Sequence, residues 1–455
     1  MKDRLHEALK LADADYCEVR FEESDGTQIV YRGDELDSAD SRKTRGGIVR
    51  ACVKGGWGTA TFDSLDAMET QVKAACQGAR LVGRETTRLA PNDAPDSDER
   101  VARMQRDFRG VSLDDKLALA RGYNDIIRSA HDAIQTSIVQ YAERFRTVHF
   151  ASSDGAYYRE DRPVVVVAFV AVARDGSLVQ QAHDSVASAD SFDDVAGLDE
   201  KVHAVAGRAA NLLKAPKPPG GPTTVVLDPR LAGVFCHEAF GHLSEADFLY
   251  ENPKMRELMH LGRTMGVEQL NIVDDSSMQG TIATRRYDDE GTPTGKTYLI
   301  RNGKLAGHLH SRETAAKMGA RPTGNARAID KDHAPIVRMT NTYIENGDKS
   351  FEALIAGIDD GIYACNAFGG QTMMEMFTFS AGYGYRIENG QVGDLVRDVV
   401  LTGNVFQTLN HIDALGNDGR IINSGGGCGK GGQSPLPVTF GSPHLRIRDV
   451  VVGGQ

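Results

Sequence analysis

The chain has 455 residues, 25% of them charged, and a formal net charge of −11 at neutral pH. That length exceeds what one hydrophobic core supports and predicts two substantial domains. The acidic balance argues against non-specific nucleic-acid binding, which needs a basic surface to displace counterions. The longest apolar run, Val164 to Ala173, is far shorter than the ~20 residues that span a bilayer, so no membrane partner is expected.

The N-terminus, Met1-Lys2-Asp3-Arg4-Leu5-His6, leads into an amphipathic helix rather than an apolar signal core. Residues 14 to 63 read as short strand-like runs broken by Gly and Asp, among them Tyr16-Cys17-Glu18-Val19-Arg20-Phe21 and Gly47-Ile48-Val49-Arg50-Ala51-Cys52-Val53. Helical patterns follow at about 65 to 82 and 113 to 132. Strands are expected near 136 to 150 and 157 to 173, and a further helix near 194 to 214. This is an N-terminal mixed α/β domain over residues 1–214. Four of the fifteen prolines fall in Lys214-Ala215-Pro216-Lys217-Pro218-Pro219-Gly220-Gly221-Pro222, which cannot continue a helix or a central strand and marks a linker over 215–222. Thr223-Thr224-Val225-Val226-Leu227 then reads as a strand that opens a strand-rich C-terminal domain over 223–455, with one clear helix near 350 to 361. The fold class is therefore α+β, in two domains. Six cysteines without scaffold-like spacing fit a reducing interior, so the expected compartment is the cytoplasm.

After that strand comes His237-Glu238-Ala239-Phe240-Gly241-His242. Two imidazoles and a carboxylate are the side chains that a zinc hydrolase needs, two as ligands and one to take a proton from the attacking water. The spacing is unusual. Histidines four apart share a helix face, whereas five residues place them about 140° apart on a regular helix, too far round to share one ion. Either the match is accidental or the helix is distorted; Gly241, which tolerates a wider turn, supports distortion and predicts a π-type bulge or break there.

Two histidines leave zinc short of a ligand. Glu245 and Asp247 lie just downstream, and Cys428 lies in the Gly-rich stretch Ser424-Gly425-Gly426-Gly427-Cys428-Gly429-Lys430-Gly431-Gly432-Gln433, where Lys430 would lower the thiol pKa. On the residues alone, Glu245 and Cys428 are equal candidates. Cys17, Cys52, Cys76, Cys236 and Cys365 read as small buried side chains. The Gly-rich stretch is not a phosphate cradle, because Gly431 and not Ser or Thr follows Lys430.

Cys236-His237-Glu238-Ala239-Phe240-Gly241-His242-Leu243-Ser244-Glu245-Ala246-Asp247-Phe248, Asp288-Asp289-Glu290-Gly291, Met339-Thr340-Asn341-Thr342 and Cys428-Gly429-Lys430-Gly431-Gly432-Gln433 together resemble the TldD/PmbA family of metallopeptidases, in its metal-bearing TldD-like branch. The resemblance implies that His237, His242 and Cys428 hold Zn2+, that Glu238 is the general base, and that Glu245 and Asp247 support the ligands. It also implies an unfolded or extended peptide threaded into an enclosed cleft, and a homodimer or a heterodimer with a PmbA-like subunit.

Asp289 and Glu290, with Asp288, Arg285 and Arg286, are either substrate contacts or a solvated hairpin rim. Asn341 either binds a peptide backbone or caps a turn. His308, His310 and His333 have no partner spacing that lifts them above surface or structural roles. The expected function is a zinc-dependent peptidase. A metal-stabilised binding module that modulates a partner protein, and a zinc amidase acting on a small molecule, are the alternatives.

Overall fold

A computed structural model describes residues 1–85, 89–373 and 375–453. The first half is built on one sheet of strands β1 (Tyr16–Arg32), β2 (Glu35–Val53), β3 (Gly56–Phe62), β4 (Asp98–Arg100), β5 (Ile134–Ser152), β6 (Tyr157–Asp175) and β7 (Leu178–Ser188). The order is β3-β2-β1-β5-β6, with β4 and β7 both pairing β6. β1 and β2 are long and continuous where the sequence suggested short runs. Pairing on both sides carries β1 through its Asp and Gly, since Gly26 stands opposite Arg42 on one neighbour and Arg144 on the other.

Side chains alternate across this sheet. Val165, Val167 and Phe169 of β6 pack with helices Leu113–Ser129 and Asp199–Leu212. Val164, Val166 and Ala168 face the opposite way and line a cleft. The helix Met68–Val82 covers the β1–β2 end through Val72 and Cys76 against Val19 and Val49.

After Leu212 the helix stops, and residues 215–220 carry neither helix nor strand. The strand Gly221–Leu227 enters the middle of a second sheet, parallel to Asp360–Met373 and antiparallel to Leu445–Gly453. A third sheet contains Ile272–Asp275, Asn341–Ile344 and Thr439–Ser442. The helix Pro229–Phe235 shares one apolar core with both, its Phe235 ring edge-on to Phe377 at 5.5 Å. The helix expected near 350 to 361 is shorter, Phe351–Ile355, because Gly357 turns the chain at φ 77° and Asp360 already pairs with Glu388. Among the described residues no helix is long and apolar enough to cross a membrane.

Buried charge ties the two halves together. Arg162 Nη1 donates to Asp289 Oδ1 at 2.7 Å, and Arg50 Nη1 to Glu290 Oε1 at 3.2 Å. Arg20 Nη2 reaches the carbonyl oxygens of Asp330 and His333 at 2.6 and 2.7 Å. Such pairs are costly to break once desolvated, so they fix how the sheet of the first half lies on the second.

Candidate metal centre

Asp228 ends the strand Gly221–Leu227 and caps the next helix, its Oδ1 accepting from Leu231 N–H at 2.7 Å, with Pro229 in the first helical position. The α-helix runs only to Phe235, and Cys236–Gly241 is a π-helix. His242 N–H donates to His237 C=O, a hydrogen bond to the residue five before it. That wider turn brings the two imidazoles onto one face, with ring centroids 5.2 Å apart and planes at 83°. The distortion expected from the spacing is therefore present, but the reason for Gly241 differs. Its φ of −56° is ordinary helix, so it supplies no special backbone conformation. A Cβ there would instead meet Met339 Sδ at 2.0 Å, so the glycine admits a buried side chain.

Cys428 arrives from the other end of the chain on the hairpin of Gly427–Lys430 with Gln433–Pro437. Its Sγ is 3.3 Å from His242 Nε2, and the ligand atoms of His237, His242 and Cys428 all lie within 4.8 Å of one another. In tetrahedral zinc sites, ligand atoms ~2.0–2.3 Å from the ion stand about 3.3–3.8 Å apart; the Cys428–His242 pair has that spacing, and two imidazoles with a thiol are donor types that zinc takes. His237 Nδ1 is buried without a hydrogen-bond partner, an orphan atom that also fits a site built around something more than protein. Burial pushes the Cys428 thiol up, but hydrogen bonds with His237 and His242 override it and bring the pKa down to about 5. A thiolate is the form in which sulfur binds a metal.

Glu245 stands behind His242. It is 1% exposed, its Oε2 lies 3.0 Å from His242 Nδ1, and Lys430 Nζ sits 2.9 Å from the same oxygen. Burial raises its pKa, but His242 and Lys430 outweigh burial and hold the carboxyl at about 2. Lys430 also donates to Asp247 Oδ1 at 2.6 Å and to Val337 O at 2.9 Å. The sequence pointed Lys430 at the thiol, whereas the structure turns it onto these two carboxylates. Glu245 and Asp247 thus support the cluster from outside it. Arg338, which sequence reasoning passed over, pins the cysteine strand by donating to Cys428 O at 2.6 Å and to Gln433 O at 3.2 Å.

Glu238 Oε2 lies 3.8 Å from His242 Nε2, and its side chain is 29% exposed. Together with His237 and Cys428 it lines a cavity of about 420 Å³ whose apolar wall includes Phe169, Val170, Phe368 and Phe440. Asp289, Glu290 and Asn341 are not on that wall. Asp289 and Glu290 are 0% and 4% exposed, engaged with Arg162 and Arg50, which contradicts the picture of a solvated rim. Asn341 is buried with its amide between Asp275 O and Thr281 Oγ1, at 2.6 and 2.7 Å. His308 and His310 are buried, His308 Nε2 lying 2.9 Å from Met259 O, while His333 pairs with Asp330.

Models of the PmbA/TldA metallopeptidase match three successive stretches: domain 1 over residues 17–80, the central domain over 106–215 and the C-terminal domain over 220–454. The chain belongs to this family. A Synechocystis protein named a metalloprotease is 45% identical over 444 residues, covering 98% of this chain and 96% of the relative. A Saccharolobus solfataricus protein named a zinc metalloprotease TldD homolog is 32% identical over 338 residues, or 72% of this chain and 73% of its own length. Among solved structures, TldE from Thermococcus kodakarensis has a TM-score of 0.79 at 19% identity, with full coverage of both chains. A Thermotoga maritima protein described as a candidate modulator of a DNA gyrase has a TM-score of 0.82 at 20% identity, covering 99% of this chain and 100% of the other. These two share the fold.

Proposed function

We propose that this protein is a zinc-dependent peptidase that hydrolyses unfolded or extended peptide. The observation that carries the reading is the joining of His237, His242 and Cys428 into one cluster of donor atoms, with the acid Glu238 beside it on the cavity wall. The naming of relatives as metalloproteases supports it, and one relative named a zinc metalloprotease supports zinc as the metal.

Zinc, when bound, supplies a Lewis acid that polarises the scissile carbonyl and acidifies a water. The chain's own residues do the rest. Glu238, partly exposed and free to reach into the cavity, takes a proton from the attacking water and passes it to the leaving amine. Glu245 orients His242 through Nδ1, leaving Nε2 for the metal. Residues 424–427 form one wall of the cavity and also one wall of a second, larger cleft of about 880 Å³. A cleft of that size next to the cavity offers more room than a compact small molecule needs, and an acid beside the ligands has no purpose in a merely structural zinc site. In the cell we expect the protein to work in the cytoplasm as a dimer, with itself or with a PmbA-like subunit. The likeness to the TldE fold is consistent with such a pairing.

The test pairs metal analysis with digestion. Purified protein should carry zinc and degrade an unfolded substrate while sparing the same substrate when ligand-stabilised. Glu238→Gln should keep the metal and lose about 10²–10⁴-fold in rate, the usual worth of a general base. Turnover that survives in Glu238→Gln would end this mechanism.

A further inference from the structure

The cleft on the other side of residues 424–427 from the metal-centre cavity is lined by two arginines that make no ion pair among the described residues. Arg42, Gly26, Arg144 and Val164 stand in one row across β2, β1, β5 and β6. Residues directly opposite in antiparallel strands point to the same face, and all four line the cleft. Neither Arg42 nor Arg144 has a hydrogen bond or ion pair among the described residues. Gly26, between them, has no side chain, and a Cβ there would press on Glu143 O at 2.6 Å. The row is thus a notch with a guanidinium on each side.

Nearby acids are mostly committed elsewhere. Glu22 is held by Arg20 and Arg146 at 2.8 and 2.6 Å, Asp330 by His333 at 2.6 Å, and Asp332 by Lys331 at 2.8 Å. Asp40, on the cleft rim, is exposed to solvent. Arg144 is half-buried. Burial, and then the neighbouring Arg146, pull its pKa down to about 10 and outweigh the attraction of Glu22 and Asp330, neither of which pairs with it directly.

The loop of residues 424–427 borders both the notch's cleft and the metal-centre cavity. A Cβ on Gly425 would meet Val166 Cγ1 at 2.6 Å and Ala168 Cβ at 3.6 Å, so the loop bearing Cys428 rests on β6 next to the arginine row. Val166 is two residues along β6 from Val164, the partner of Arg144. At ~3.3 Å per residue along a strand and ~4.8 Å between strands, that step is about 8 Å. Three more residues lead from Gly425 to Cys428, adding at most about 10 Å. An extended peptide of roughly three to six residues spans such a distance.

We propose that Arg144, with Arg42 across Gly26, binds a carboxylate of the substrate peptide some three to six residues from the bond to be cut. The ligand is either the chain's own C-terminal carboxylate or an Asp or Glu side chain. The inference rests on the peptidase reading for its role, but the anion site itself is testable alone.

The probe is a short unstructured peptide of small residues with an N-terminal fluorophore. It is made as the C-terminal acid, as the C-terminal amide, and as amides carrying one internal Glu or the matching Gln. Binding is read by fluorescence anisotropy in the full-length Glu238→Gln protein, and cleavage of the same peptides is followed separately in the wild type. Arg144→Gln should weaken binding of the preferred carboxylate peptide about ten- to a hundredfold, the worth of a charge-assisted pair. The plain amide should bind as before, which also shows that the variant is folded. Preference for the acid over the amide assigns the site to the chain terminus; preference for Glu over Gln assigns it to a side chain. Equal binding of all four peptides, no detectable binding, or a carboxylate preference that survives in both Arg144→Gln and Arg42→Gln would overturn the proposal. A preference that stands while no peptide is cut would leave the anion site in place and remove the peptidase reading instead.

Discussion

Asp289 distinguishes a structural role from a substrate-binding one. Its carboxylate is fully buried, accepts from Arg162 Nη1 and Ala328 N–H at 2.7 Å each, and lies 3.6 Å from Arg285 Nη1. Burial raises its pKa, but Arg162 and then the other arginines drive it far below the ordinary carboxylate value. Arg162, held well above its usual value, is the principal partner, whereas burial and Arg162 itself pull Arg285 down to about 10. Asp289→Asn keeps an acceptor for Ala328 but leaves Arg162 with only Glu160 as a counter-ion, at 3.1 Å. Removing one partner of a buried pair costs ~3–5 kcal/mol, and the surviving acceptor puts the expected loss near 3. Equilibrium urea unfolding measures it, with metal content and KM recorded in parallel. Because the folded pKa is depressed, the stabilisation is complete above the unfolded value near ~3.9 and is lost as pH falls below it, so wild type and variant should converge in acid. A loss below about 1 kcal/mol accompanied by a raised KM would refute this reasoning and return Asp289 to the substrate.

Three further outcomes follow from the metal centre. Gly241→Ala should lower zinc occupancy and stability together, because its Cβ collides with buried Met339; the added Met339→Ala should restore part of both, and a fully occupied, stable single variant would show that the helix has slack. Cys428→Ser should lose zinc far more completely than Glu245→Gln, since a thiolate is replaced by a weak neutral oxygen ligand; the reverse order in metal analysis would make Glu245 the ligand. Lys430→Met should weaken zinc about 10–100-fold in chelator competition, because Glu245 then lacks the cation that holds it charged behind His242. Unchanged affinity would show that Glu245 needs only the histidine.

The sequence exposed the parts of this site that are local and hid the parts that depend on distant segments. The five-residue spacing from His237 to His242 meant that a shared ion required a distorted helix, and the π-turn is there. What that argument could not see was Met339, a contact across nearly a hundred positions that accounts for Gly241 better than backbone freedom does. The long strands were missed for a similar reason: Asp25 and Gly26 look like a break until β5 is laid beside them. Charged side chains misled most. Asp289 and Glu290 sit in an acidic, glycine-flanked stretch that resembles a solvated turn, and only Arg162 and Arg50 of the other half, far away in sequence, turn it into an interior joint. Lys430 follows the same logic. Two residues from Cys428 it looks like an activator of the thiol, yet in the fold its ammonium has two carboxylates within 3 Å, at 2.9 and 2.6 Å. The groups that lower the thiol pKa most are then the two histidines. That arrangement suits a metal ligand, because sulfur binds an ion as the thiolate.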